Sequence, residues 1–224
     1  MVVRVASAAI IVWSGLATPA LSGAWLRDKG TGFYSISTTF RDTPSGLAVE
    51  TDGYIEYGAW PRVTLGATLN ETQGKTGHVL GFLRLPIRTG AERAKWAAEI
   101  GLGAWHTGPT WKPMGKLTLS YGRGLSWGKQ AQGWFSVDAS VEHRQGKPDP
   151  TWALQTTLGQ SFGGKVRPMV KLGLEHIDGS PLGWSASAHI LIDGPKRLTW
   201  VAGIERKRAG DTTTALSLGL WKNF

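Results

Sequence analysis

From about residue 31 to the C-terminus the chain alternates apolar with polar or small side chains, and helical periodicity is almost absent. Alternation sends successive side chains to opposite faces of a strand, so each segment has one apolar and one polar side. The clearest case is Trp134 to Arg144, WFSVDASVEHR. Phe135, Val137, Ala139 and Val141 share one face, and Ser136, Asp138, Ser140, Glu142 and Arg144 share the other. A face so polar must meet water, which excludes a strand buried on both sides.

With turn residues as punctuation, the same pattern predicts strands over 31–41, 51–60, 63–72, 77–87, 94–106, 116–126, 133–144, 152–162, 167–177, 184–193, 198–208 and 213–224. Each has about the 9–11 residues that a tilted strand needs to cross a bilayer. Twelve is an even count, so the expected fold is all-β: a closed antiparallel transmembrane β-barrel of about 12 strands, with 10 or 14 as alternatives. A soluble β-sandwich is the competing fold. If the first strand runs outward, inner turns fall at 60–62, 89–93, 128–132, 163–166 and 194–196. Outer loops then fall at 42–50, 73–76, 107–115, 145–151, 178–183 and 209–212, with HTGPTWKPMG and RQGKPDPT as the long ones.

Composition agrees with many short strands and an aromatic outer surface: 31 glycines and 12 tryptophans in 224 residues. No cysteine is present, which removes disulfides, thiolate metal sites, a cysteine nucleophile and a lipoprotein anchor. The net charge of +9 would suggest nucleic acid in a cytosolic protein. In an exported barrel it suits anionic lipid headgroups or anionic solutes instead, and no nucleic-acid partner is expected.

Residues 1–22 have the layout of a secretory signal peptide: Arg4, an apolar stretch from Val5 to about Leu16, then small residues. Cleavage is expected after Ser22, with Ala24 as the alternative, leaving residues 23–224 as the barrel. A retained anchoring helix is disfavoured, because the apolar stretch is shorter than the ~20 residues that span a bilayer.

A membrane barrel gathers tryptophans at strand ends. Trp60, Trp96, Trp127, Trp134, Trp200 and Trp221 fall near the predicted inner rim, and Trp105, Trp152 and Trp184 near the outer rim. These are expected to form two aromatic girdles. In the last segment, TTALSLGLWKNF, Leu216, Leu218, Leu220 and the terminal Phe224 share a face. That ending resembles the C-terminal assembly signal of Gram-negative outer-membrane β-barrel proteins, carried by Leu218, Leu220 and Phe224. It departs from the pattern at Lys222, which a rim position tolerates by snorkelling. YIEYGAWPRVTLGATLN resembles the strand, turn and strand units of small porin-like outer-membrane channels. The resemblance implies an outer-membrane address, periplasmic chaperones and the barrel-assembly machinery as partners during biogenesis, and outer-membrane lipids and lipopolysaccharide as surroundings. A monomer is expected.

The alternation assigns to the lumen Glu56, Thr68, Asn70, Arg84, Glu99, Lys116, Asp138, Glu142, Gln155, Lys171, Glu175, His189, Asp193, Glu205 and Lys207. Both signs occur, so a narrow passive channel for small polar or anionic solutes and a closed, ion-paired structural or adhesive barrel are both open readings. In the channel reading Arg84, Lys116, Lys171 and Lys207 set selectivity against Glu99, Asp138 and Glu175. A lipid-modifying enzyme is the third reading. His106, His143 and His176 come near outer strand ends, yet none stands in the His-x-Ser-Asn arrangement of outer-membrane phospholipases, and Ser187 with His189 is expected inward. No phosphate loop, zinc spacing or calcium loop is present, so no catalytic residue, metal or cofactor is assigned. Outer basic residues Lys112, Lys147, Arg206 and Arg208 could hold lipopolysaccharide phosphates or keep loops solvated.

Overall fold

In a computed structural model, residues 23–88, 94–127, 131–161 and 165–224 are described. The expected signal peptide and the turn at 89–93 lie outside them. Twelve strands run in chain order: β1 (Gly32–Thr43), β2 (Gly46–Trp60), β3 (Val63–Thr72), β4 (Thr76–Arg88), β5 (Ala94–Thr107), β6 (Thr110–Trp127), β7 (Ala131–Arg144), β8 (Thr151–Ser161), β9 (Val166–Ile177), β10 (Gly183–Asp193), β11 (Leu198–Ala209) and β12 (Asp211–Asn223). Every neighbour is antiparallel, and β1 pairs with β12 to close the barrel. Reciprocal backbone bonds between Gly32 and Phe224 extend that seam to the C-terminus.

The outward face carries an apolar band, with Ile36, Leu69, Ile100, Leu102, Leu117, Leu172, Ile204, Leu216 and Leu218 all exposed. A soluble domain cannot show such a belt to water, whereas hydrocarbon accepts it. Among the described residues no helix is long and apolar enough to cross a membrane, so any crossing is by strands.

Two expectations about the connections are corrected. The long outer loop at 107–115 does not exist, because β6 starts at Thr110 and pairs it with Thr107. Gly108 has φ +61 and precedes Pro109, the glycine-first chemistry of a two-residue hairpin turn, so Lys112 and Pro113 continue the strand. β2 likewise begins at Gly46, which shortens the predicted loop at 42–50.

Register places Trp105, Trp134 and Trp221 on the lumen side, contrary to the girdle expected from their positions along the strands. Trp105 packs with Leu80, Phe82 and Met114, and Trp134 with Met169, Leu191 and Val201, against which Trp221 and Trp25 lie. The cause is spatial. Twelve strands enclose more room than small side chains fill, and large aromatics opposite glycines occupy it. Trp134 faces Gly159, and its ring occupies the space a Cβ at Gly159 would need. Gly159→Val should therefore lower stability by about 1–3 kcal/mol through overpacking, read as a lower urea midpoint in detergent. Trp60, Trp96, Trp152, Trp184 and Trp200 do lie on the outward face, joined by Trp111. The side chain of Trp127 is outside the described set.

Candidate functional site

The site is the lumen, and the strand period decides its lining. Residues directly opposite in an antiparallel pair share a face, so Phe33↔Glu56, Thr64↔Arg84, Arg84↔Glu99, Lys116↔Glu142, Ser120↔Asp138 and Thr157↔Lys171 carry one inward surface around the barrel. Ser187↔Glu205 and Ser185↔Lys207 continue it to β11. Glu56, Arg84, Glu99, Lys116, Asp138, Glu142, Lys171, Glu175, His189, Glu205 and Lys207 all stand on this surface, as do Thr68, Asn70, Gln155 and Asp193.

Call the end where β1 starts and β12 stops the terminal end, and the opposite one the far end. The terminal half is packed. Arg84 donates from Nη1 to Glu56 Oε2 at 2.7 Å, from Nη2 to Glu99 Oε2 at 2.7 Å and from Nη2 to the Tyr54 hydroxyl at 2.9 Å. Tyr54 in turn donates to Glu56 Oε2 at 2.7 Å. Arg84 is 4% exposed and Glu56 2%, so nearly all their hydration has been replaced by these bonds. Across the lumen the Trp134 cluster closes the other side, with Leu191 fully buried.

Residues 23–31 fill the space between, a feature that strand reading misses because the segment forms no membrane-spanning strand. Arg27 donates from Nε to Glu56 Oε1 at 2.5 Å and from Nη1 to Asn223 Oδ1 at 3.2 Å, while its backbone N–H bonds Thr64 Oγ1 at 2.9 Å. Lys29 bridges to Gly58 in parallel, and Gly30 N–H donates to Gly58 C=O at 2.9 Å. Trp25 fits against Gly122, where a Cβ would collide with its ring, and a Cβ on Gly58 would strike the Asp28 carbonyl. The segment is thus a strap of turns and irregular chain inside the barrel, seated on glycines. The only legible hint was the run Trp25, Arg27, an aromatic and a cation ahead of the first strand.

The far half is differently charged, around the buried Trp105, Leu80 and Met114. Arg41, which the sequence reading placed in no role, binds Glu50 at 2.7 Å and Glu205 at 2.7 Å. Arg144 pairs with Glu142 at 2.6 Å, and Arg167, nearer the terminal end, with Asp193 at 2.5 Å. Arg27, Arg41, Arg84, Arg144 and Arg167 are therefore all committed to carboxylates. Lys112, Lys116, Lys171 and Lys207, on the same surface, make no ion pair among the described residues. At the far mouth, Lys112, Arg144 and Lys147 stand 6.0, 5.6 and 5.7 Å from the Trp105 ring centroid. Lys112 thus points inward over Trp105 and not towards the outer leaflet. Arg206 and Arg208 do face outward near the far end.

His189 Nε2 lies 2.9 Å from Ser187 Oγ, inside the lumen. His189 Nδ1 has no hydrogen-bond partner among the described residues, so the pair lacks an orienting acid. The outward His106 binds Glu71 at 2.8 Å and stacks near Trp111. The described residues hold no cluster of histidine, aspartate and glutamate suited to a metal ion.

No family model and no curated protein sequence matches the chain. Solved structures do. A KdgM porin in complex with disordered oligogalacturonate superposes with TM-score 0.62 at 7% identity, over 86% of this chain and 99% of that one. The COG4313 outer membrane channel from Pseudomonas putida F1 gives 0.58 at 11% identity, over 92% and 100%. The NanC porin gives 0.58 at 10% identity, over 84% and 98%. At such identities the likeness is one of fold. In its closed twelve-stranded architecture and its exposed apolar belt, the chain shares the fold of these outer-membrane porins and channels.

Proposed function

We propose that the protein spans the outer membrane of a Gram-negative bacterium and passes small polar or anionic solutes through a narrow lumen that opens at the far end. The observation that carries this is the division of labour between the inward cations. Arginines are locked to carboxylates, while Lys112, Lys116, Lys171 and Lys207 keep free ammonium groups for a passing anion. A lysine is a flexible point charge that binds and releases, whereas a bidentate arginine is a fixture. Asp52, Asp138 and Glu175 oppose the lysines, so selectivity for anions is expected to be modest. That a similar fold is seen with an acidic oligosaccharide, oligogalacturonate, is in keeping with this reading.

The test is single-channel recording with a salt gradient. Discrete steps with a reversal potential favouring anions are expected, and Lys116→Gln with Lys171→Gln and Lys207→Gln should bring the anion-to-cation permeability ratio towards one. Unchanged selectivity in that triple variant would remove the lysines from the reading. The packed terminal half, with Glu56, Arg84 and Leu191 nearly inaccessible, favours a second reading, a closed structural barrel. Silence in bilayers, together with no solute entry in liposome swelling, would select it.

In the same reading the far end faces outward from the cell, where Arg206 and Arg208 hold lipopolysaccharide phosphates. Leu218, Leu220 and Phe224, on the seam that closes the barrel, present the assembly signal to the machinery that inserts it.

A further inference from the structure

The strap ends at an unusual place. Gly23 lies deep in the lumen against Ser120 and Asp138, which face each other across β6 and β7. A Cβ at Gly23 would collide with Ser120 Oγ and come within 3.0 Å of Asp138 Oδ1, so no side chain fits there. Since a Cβ and its own backbone nitrogen are ~2.5 Å apart, the Gly23 nitrogen is within about 5.5 Å of that oxygen. Asp138 Oδ1 is buried and has no hydrogen-bond partner among the described residues. Among the described residues no ion pair reaches Asp138, although Lys116 and Lys171 stand on the same surface. A buried carboxylate oxygen without a donor is costly, which makes this acceptor a site waiting for a cation.

We infer that Asp138 and Ser120 form a receptor for a free α-ammonium group at Gly23, created by cutting the chain between Ser22 and Gly23, so that export processing locks the strap into the barrel. Cutting that peptide bond with water leaves a carboxylate on Ser22 and an amine on Gly23, which takes up a proton. The new cation lies within about 5.5 Å of the unpartnered oxygen, and the lack of a side chain on Gly23 is what lets its backbone come so close. The uncut chain offers only a neutral amide at this point. The idea rests on the barrel alone and holds whether or not the barrel conducts.

The test starts from protein isolated from outer membranes, with its first residue read by mass spectrometry. The chain has no native cysteine, so Leu26→Cys gives a single reporter of strap release through its rate of reaction with a water-soluble thiol reagent. That rate is compared in three folded samples: the chain beginning at Gly23, the same chain with its α-amine acetylated before refolding, and the Asp138→Asn variant. A chain beginning at Gly23 is expected, with acetylation and Asp138→Asn each speeding modification at least about tenfold, the scale of a lost charge-assisted hydrogen bond. Acetylation added to Asp138→Asn should give no further gain. A mature chain that begins at Trp25 or elsewhere would overturn the inference, and so would an acetylated chain that reacts at the unmodified rate. Should Asp138→Asn not fold, the acetylated sample, which keeps the carboxylate, decides alone.

Discussion

Arg84→Ala should destabilise the barrel by about 3–5 kcal/mol, the cost of leaving buried carboxylates without their cation. Arg84 bonds Glu56, Glu99 and Tyr54 at once, and Glu56 has no water to turn to. Arg27 would remain on Glu56 Oε1, but Oε2 would keep only the Tyr54 hydroxyl, and Glu99 would lose its ion pair. The measurement is urea unfolding in detergent followed by tryptophan fluorescence. Replacing Arg84 and Glu99 together with methionine and leucine should recover much of the loss, because no unpaired charge then remains between them. A single variant as stable as the wild type would mean that water reaches Glu56 and that the packing described here does not exclude it.

Removing the strap, so that the chain starts at Gly32, should raise single-channel conductance several-fold. The strap holds its backbone, the Trp25 indole and the Arg27 guanidinium in the terminal half of the lumen. Its removal leaves a cross-section that twelve strands do not fill with their own side chains on this side. Stability should fall as well, since Glu56 Oε1 and Asn223 lose their donor. Gly122→Val offers a milder version, because the valine takes the space of the Trp25 ring while suiting the strand. Conductance that is the same with and without residues 23–31 would show that solutes pass elsewhere in the barrel or not at all.

Much of the wall was legible before any coordinates. The period of two along Trp134–Arg144 suits water on one side and a nonpolar medium on the other, and in the registered sheet Asp138 and Glu142 share a face with Ser120, Lys116 and Gln155. The rule failed for Trp105, Trp134 and Trp221 because tryptophan at a strand end was taken as a membrane anchor. Their positions in the alternation already put them with Asp138 and Lys207 and not with Val137. Hairpin lengths were misread where 107–115 was taken as a loop, although Pro113 opposite Ala104 lets pairing continue to Thr107 and Thr110. Arg41 and Glu50 were overlooked because the first strand was ended at residue 41 and 42–50 was taken as a loop, whereas β1 runs to Thr43 and β2 begins at Gly46.

Sequence alone determined the all-β class and a barrel of about twelve strands, since both follow from local backbone geometry and the period of two. Which inward charges pair, and what fills the space they enclose, was decided by tertiary structure. Partners such as Arg27 and Asn223 are 196 positions apart and meet only once β1 closes on β12. The strap has no alternation to announce it, because its environment is set by the barrel around it and not by two faces of its own.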